Sequence, residues 1–176
     1  MTDVIPLPAA PPPPGPPRCL GIDPGLNRTG YAVLERTSRG PRLVEGGTLT
    51  SDAADPLAAR VAEIGAGVRE LIREFRPAEL ALENVFAHGR NFQSSLKLAQ
   101  CRGAILLVAG DEGVPVTPLT PSTIKARATG SGRADKAQMQ RAVSRELGLP
   151  AVLEPNDVAD AAAAALCVFG RLRVAA

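Results

Sequence analysis

The chain has 176 residues and a formal net charge of +2, and its composition is 45% hydrophobic but only 3% aromatic, without tryptophan. This length predicts one domain with an aliphatic core, and the small net charge does not by itself indicate a nucleic-acid partner. No apolar run is long enough to cross a bilayer and the N-terminus lacks a signal-peptide pattern, so we expect a cytoplasmic protein with no membrane segment.

Three cysteines, Cys19, Cys101 and Cys167, lie far apart in apolar runs. Their odd number and wide spacing favour buried free thiols in a reducing compartment over disulfides or a metal site.

Residues 1–17 are rich in proline, with an unbroken run at positions 11–14. Because proline lacks a backbone N–H and has a fixed φ, this stretch predicts an extended or disordered arm. We interpret it as a passive tail, with a docking peptide as the alternative. A single folded domain is then expected over residues 18–176.

The segment 19–33 predicts a β-hairpin whose first strand ends in a carboxylate. Leu20 and Ile22 suit a buried strand, and Asp23 follows them at the point where the chain turns. A side chain held there by a rigid strand would reach into a cleft. The alternative is that Asp23 only stabilises the turn, since Asp is a favoured turn residue.

The next segments predict the rest of a mixed five-stranded sheet flanked by helices. Residues 42–49 would complete an antiparallel meander, and a helix starting at Asp55-Pro56 would end before Pro77. The apolar segment 79–83 then predicts a parallel strand reached through a helical crossover. Glu83 ends that strand, where open α/β sheets carry their sites; the alternative is a solvated strand end.

Residues 86–91 predict a loop that carries Phe86, His88 and Arg90. Beside an acidic site, an exposed Phe86 with a cationic neighbour would act as a wedge that stacks on bases. Alternatively, Phe86 packs into the core. His88, the only histidine, has the chemistry of a metal ligand or a base, but a single loop histidine is more often neither.

Residues 93–110 predict a long helix that is apolar around much of its circumference, so we expect the sheet on one side of it and a second copy of the chain on the other. A short strand at 114–117 would follow, ended by Pro118 and Pro121.

Residues 122–145 form a basic segment with a single acid, Asp135. Its basic residues are Lys125, Arg127, Arg133, Lys136, Arg141 and Arg145. A Gly-Ser-Gly stretch at 130–132 interrupts it, and clustered basic side chains suit contact with a polyanion backbone. A solvated helix face is the alternative, but the lack of compensating acids favours a function in binding.

A last helix begins at Pro155-Asn156, and Asp157 and Asp160 lie three residues apart on one face of its start. Asp157 alone would be explained as a first-turn acid, but Asp160 precedes a run of alanines that should be buried. We therefore expect both carboxylates to face the strand ends.

Convergence of Asp23, Glu83, Asp157 and Asp160 would bring together four mutually repelling carboxylates. Divalent cations relieve such repulsion, and ligands that are all oxygen select Mg²⁺ or Mn²⁺. Two ions roughly 4 Å apart promote phosphodiester hydrolysis by activating water and stabilising the leaving oxygen. The sequence thus predicts a nuclease site.

The chain resembles the bacterial RuvC family of Holliday-junction resolvases over roughly residues 18–170, with the family's motifs in order and at its spacing. The matching motifs are Gly21-Ile22-Asp23-Pro24-Gly25, Thr29-Gly30-Tyr31, Leu82-Glu83-Asn84-Val85-Phe86, Ser95-Leu96-Lys97-Leu98-Ala99-Gln100, Arg102-Gly103 and Asp157-Val158-Ala159-Asp160-Ala161. The resemblance implies an RNase H-like fold, a homodimer and symmetric nicking of two opposing strands of a four-way DNA junction. It also implies association with the RuvA and RuvB branch-migration proteins.

The resemblance further implies that Asp23, Glu83, Asp157 and Asp160 are metal-binding catalytic acids. Some family members have histidine at the position of Asp157. By the same resemblance, Phe86 is the aromatic residue at the junction, and Lys125 and Lys136 lie near the scissile phosphate. The proline-rich arm and the loop around His88 depart from the family pattern.

Three other functions share part of this sequence pattern. A non-cutting junction-binding protein is disfavoured by retention of all four acids. A sugar-kinase-like or actin-like ATPase also uses a Gly-Ile-Asp-x-Gly loop, but it needs two similar domains and the chain is too short. Another RNase H-like nuclease acting on different DNA or RNA is the nearest alternative.

Overall fold

A computed structural model describes residues 15–85 and 92–172, with the side chain of Phe92 left out. Most of the predicted arm and the predicted loop residues Phe86, His88 and Arg90 lie outside the described residues. The described elements are β1 (Arg18–Asp23), β2 (Arg28–Thr37), β3 (Gly40–Thr50), α1 (Leu57–Phe75), β4 (Glu79–Glu83), α2 (Phe92–Asp111), β5 (Val116–Leu119), α3 (Pro121–Thr129), α4 (Lys136–Glu146) and α5 (Asn156–Phe169). None of these helices has the length and apolar character needed to cross a membrane.

The five strands form one mixed sheet in the order β3-β2-β1-β4-β5. β1, β2 and β3 pair antiparallel, whereas β4 and β5 are parallel to β1. This architecture confirms the predicted fold, because α1 provides the crossover that a parallel neighbour of β1 requires. Ile22 is aligned with Leu82, so the next residues, Asp23 and Glu83, end neighbouring strands at the same edge.

Helices cover both faces of the sheet. Leu20 and Ile22 of β1 are buried with apolar residues of α1 and α2. Cys19, on the opposite side of the same strand, is buried in a second cluster with residues of α3, α4 and α5. This alternation follows from the two-residue period of a strand. Cys19 and Cys101 are buried free thiols, and Cys167 is a free thiol that is partly exposed.

Small residues bring α5 very close to β1 and β2. Residues 161–165 are all alanine and all fully buried. A Cβ added to Gly21 would lie 2.8 Å from the Cβ of Ala165, and one added to Gly30 would lie 2.9 Å from the Cβ of Asp157. Real Cβ atoms do not approach so closely, so these two glycines allow the start of α5 to lie beside the end of β1.

Two details differ from prediction. The N-cap position of α1 is occupied by Pro56, and no side chain caps the start of this helix. Asp55 therefore does not cap it. Strand β5 begins two residues later than predicted and contains Pro118, which we expected to end it. β5 is an edge strand, and an edge position tolerates proline because its missing N–H need not pair with a neighbour.

Candidate active site

A pocket of about 250 Å³ lies at the carboxyl ends of β1 and β4, and three of the four predicted acids line it. Asp23 and Glu83 come from the two strands, and Asp160 comes from the first turns of α5. Lys125 of α3 and Lys136 of α4 form the basic side of the same pocket. The remaining lining residues are Pro121, Ile124 and Met139.

Burial and mutual repulsion disfavour ionisation of the two strand-end acids. Burial, together with the negative charges of Glu83, Asp160 and Asp157 and against the opposing charge of Lys136, raises the pKa of Asp23 to about 8. Burial and the charge of Asp160 also raise the pKa of Glu83, opposed by Lys136 and Lys125. A site that keeps these acids charged at neutral pH therefore needs more positive charge than the two lysines supply.

Asp160 is held by only one of its two oxygens. Its Oδ2 pairs with Nζ of Lys136 at 2.8 Å, and this hydrogen bond raises the pKa of Lys136. Its Oδ1 is buried and has no hydrogen-bond donor among the described residues. A buried carboxylate oxygen without a donor is costly, so this atom is a free acceptor in the pocket wall.

Asp157 lies next to this pocket rather than in its lining. It borders an adjoining concavity together with Arg28, Lys136 and Asn156, and its Oδ2 lies 3.5 Å from Nη1 of Arg28. Its charge nevertheless acts on Asp23. The structure therefore gathers three of the predicted acids into one pocket and leaves the fourth at its rim, paired with an arginine.

The carboxylate oxygens of the site have the chemistry to bind divalent cations, although the side chains are not arranged to coordinate an ion together. Within the two described ranges, no three acidic, histidine or cysteine side chains stand where they would hold one ion together. Asp160 and Asp157 are instead paired with Lys136 and Arg28. The candidate ligands in the pocket are nevertheless carboxylate oxygens, which repel one another, and the buried Oδ1 of Asp160 has no donor; a hard divalent ion would satisfy both conditions.

Two residues to which the sequence assigned no role support the strand ends. Arg102 of α2 donates from Nε to the carbonyl oxygen of Glu83 (3.3 Å) and from Nη2 to Oδ1 of Asn84 (2.8 Å). The fully buried Thr29 donates from Oγ1 to the carbonyl oxygen of Gly25 (2.7 Å) and accepts from its N–H (3.1 Å). These bonds fix the backbone just after each of the two strand-end acids. Both residues fall within the matching motifs, which was the only signal for them.

The predicted DNA-binding residues occupy different places. Lys125 and Lys136 line the acidic pocket. Arg127 instead makes a two-pronged pair with Glu146, at 2.8 and 3.2 Å, and Arg133 lines a separate concavity. Phe86 and Arg90 lie outside the described residues, so their proposed contact with DNA stays a prediction.

Residues 19–168 match the family model of the crossover junction endodeoxyribonuclease RuvC. A protein named crossover junction endodeoxyribonuclease RuvC from Rhodopirellula baltica is 45% identical over 157 residues, covering 88% of this chain and 87% of the relative. A protein of the same name from Halorhodospira halophila is 48% identical over 153 residues, covering 85% and 88%.

A solved structure of Thermus thermophilus RuvC in complex with Holliday junction substrate superimposes on this chain with a TM-score of 0.80. The two chains are 33% identical, and the match covers 88% of this chain and 94% of the other. The similarity therefore extends over nearly the whole described fold, including all elements that line the acidic pocket.

Proposed function

The chain belongs to the RuvC family of crossover junction endodeoxyribonucleases, and we propose on that basis that it resolves Holliday junctions in homologous recombination and DNA repair. It would do so by nicking two opposing strands of the four-way junction symmetrically. The observation that carries the proposal is the pocket in which Asp23, Glu83 and Asp160 face Lys125 and Lys136. Acids and lysines in one pocket suit a reaction at a phosphodiester.

We infer that Asp23, Glu83, Asp157 and Asp160 would bind two divalent ions per subunit, with Mg²⁺ as the physiological ion and Mn²⁺ as a substitute. Such ions, when bound, supply Lewis acidity toward the phosphate and lower the pKa of water. The support for this set is the free Oδ1 of Asp160 and the raised pKa values of Asp23 and Glu83. Arg28 would have to release Asp157 for that residue to take part.

The two lysines would bind the DNA phosphate at the point of cleavage. Lys136 already donates to a carboxylate oxygen, and its Nζ would donate in the same way to a nonbridging phosphate oxygen when DNA enters. In hydrolysis the oxygen of water bonds to phosphorus while one P–O ester bond breaks. The ammonium groups of Lys125 and Lys136 would stabilise the negative charge that gathers on the phosphate oxygens during this step.

A homodimer would present two identical sites to the two equivalent strands of a junction. We propose α2 as its interface, as the sequence suggested. In support, α2 carries the exposed apolar side chains of Leu96, Leu106 and Leu107, the last of them 64% exposed. RuvA and RuvB as partners and a cytoplasmic location remain part of this proposal.

The deciding experiment compares nicking of a four-way junction with nicking of a linear duplex of the same sequence. Each substrate is incubated with Mg²⁺, Mn²⁺ or EDTA. We expect paired nicks in the junction only, and only with a divalent ion. Equal cutting of both substrates would favour a less selective RNase H-like nuclease, and binding of the junction without nicks in either ion would favour a non-cutting protein.

A further inference from the structure

A second concavity, of about 500 Å³, lies between the end of α3 and α4, and three arginines line it: Arg133, Arg141 and Arg145. We propose that this arginine pocket binds backbone phosphates of the DNA arm that leads away from the cleavage site. The inference rests on the proposed function, since it takes junction DNA as the ligand. It adds a second point of contact, separate from the acidic pocket.

The three arginines of this pocket have no acidic partner among the described residues, unlike several other arginines of the chain. Arg69, Arg73, Arg127 and Arg171 each pair with a carboxylate at 3.0 Å or less. For the arginines of the pocket, by contrast, no carboxylate of the described part of the chain lies within salt-bridge distance. Their charges are thus available to an anion from outside.

Asp135, the only acid among residues 122–145, already bonds to the backbone. Asp135 begins α4, and its Oδ1 accepts a 2.7 Å bond from the N–H of Gln138, while the Gln138 side chain bonds back to the N–H of Asp135. This capping box uses the carboxylate to complete the helix end. Asp135 therefore does not pair with the arginines, and the positive charge of the pocket persists.

The pocket also contains neutral polar groups suited to an anion. Thr129, Ser131 and Gln138 line it beside the arginines. Two side-chain hydrogen bonds hold the segment between α3 and α4 in place. Oγ of Ser131 accepts from the N–H of Arg133, and Oγ1 of Thr129 accepts from the N–H of Ser131. Guanidinium groups bind phosphate oxygens through two parallel hydrogen bonds, so several of them around one concavity suit phosphate groups and not a single-atom anion such as chloride.

The geometry of α4 relates the arginine pocket to the acidic pocket. Lys136 and Met139 face the acidic pocket, whereas Arg141 and Arg145, one turn apart, face the other side. Arg145 lies nine residues after Lys136, which is about two and a half turns and about 13 Å along the axis. A duplex gains 3.4 Å per base pair, so this offset corresponds to about four base pairs. Two and a half turns also place Arg145 on the opposite side of α4 from Lys136, so DNA that spans both pockets would have to cross α4 and would need more than these four base pairs.

The test measures how junction binding depends on salt. Affinity of a fluorescent four-way junction is measured by anisotropy in EDTA from low to high salt, for the wild type and for an Arg141→Gln/Arg145→Gln variant. Each phosphate contact contributes a slope of about −0.9 to the plot of log affinity against log salt. We expect the variant to bind more weakly, with a slope reduced in magnitude by about 1 to 2, and to cut at the wild-type rate when the junction is saturated.

Arg39→Gln provides the control, because Arg39 is an exposed arginine at the turn between β2 and β3 and the substitution removes one positive charge elsewhere, against two in the pocket variant. Thermal unfolding checks that each variant folds. A slope equal to that of the wild type, or an equal reduction in Arg39→Gln, would overturn the inference; the first result would point to an acidic protein as the ligand. Wild-type protein that binds junctions but does not cut them would contradict the proposed function, but it would not contradict phosphate binding by the arginine pocket.

Discussion

Replacing Asp23 by asparagine should abolish cleavage and at the same time stabilise the metal-free protein. The pKa of Asp23 is raised from its ordinary 3.8 to about 8 by burial and by neighbouring acids. Between these two values the unfolded chain is ionised while the folded chain holds a proton. Folding therefore takes up a proton in this range, and stability falls as pH rises from about 4 to 8 before levelling off.

The size of the effect follows from the difference between the two pKa values. One pKa unit corresponds to about 1.4 kcal/mol, so the full difference makes the Asp23 carboxylate cost of the order of 5 kcal/mol above pH 8. Asparagine has nearly the same shape and carries no charge. The Asp23→Asn variant should thus match the wild type near pH 4 and exceed it increasingly toward pH 8, by several kcal/mol.

Urea unfolding in EDTA at a series of pH values measures this difference directly. Asp55→Asn is the control, since Asp55 is an exposed acid before α1 and the substitution removes the same charge outside the pocket. With Mg²⁺ added, the wild type should gain stability and Asp23→Asn should not. An Asp23→Asn protein that is less stable than the wild type at pH 8, or that cuts junctions at the wild-type rate, would refute this reasoning. Junction binding should survive the substitution, because the basic residues remain.

Three further outcomes are expected. Gly30→Ala should lower the free energy of unfolding, measured by urea titration, by about 2 kcal/mol or more. The reason is that the added Cβ would lie 2.9 Å from the Cβ of Asp157. Lys136→Gln should slow single-turnover cleavage by about 100-fold, because a donor to the phosphate is lost next to Asp160; an unchanged rate would leave Lys136 without a role in the reaction. Phe86→Ala should keep the thermal unfolding midpoint of the wild type yet impair junction nicking, whereas full activity would return Phe86 to a structural role.

The sequence predicted the sheet and the positions of Asp23 and Glu83 at strand ends because both depend on local pattern. A strand that ends in Asp23 and another that ends in Glu83 are visible from short apolar runs and turn residues. Their adjacency follows from the crossover rule, which makes β4 parallel to β1. The short distance from α5 to the sheet likewise follows from its run of alanines.

Pairings between distant residues could not be predicted in this way. Arg60 of α1 carries a charge, yet it is buried and bonds to Asn27 and, at 3.1 Å, to Ser51. Arg127 pairs with Glu146, nineteen residues away. Asp157 pairs with Arg28 at the far end of the chain. Each partner is chosen by the packing of whole elements, and neither spacing nor propensity encodes that choice.

The contact of α5 with Gly21 links durability to activity in this protein. Any side chain at that position would push the helix away from β1, and α5 carries both Asp157 and Asp160. A chain that tolerated such a change would lose core packing and misplace its acids in a single step. Selection for a sturdier protein would therefore retain glycine at this position, and with it the placement of both acids of α5.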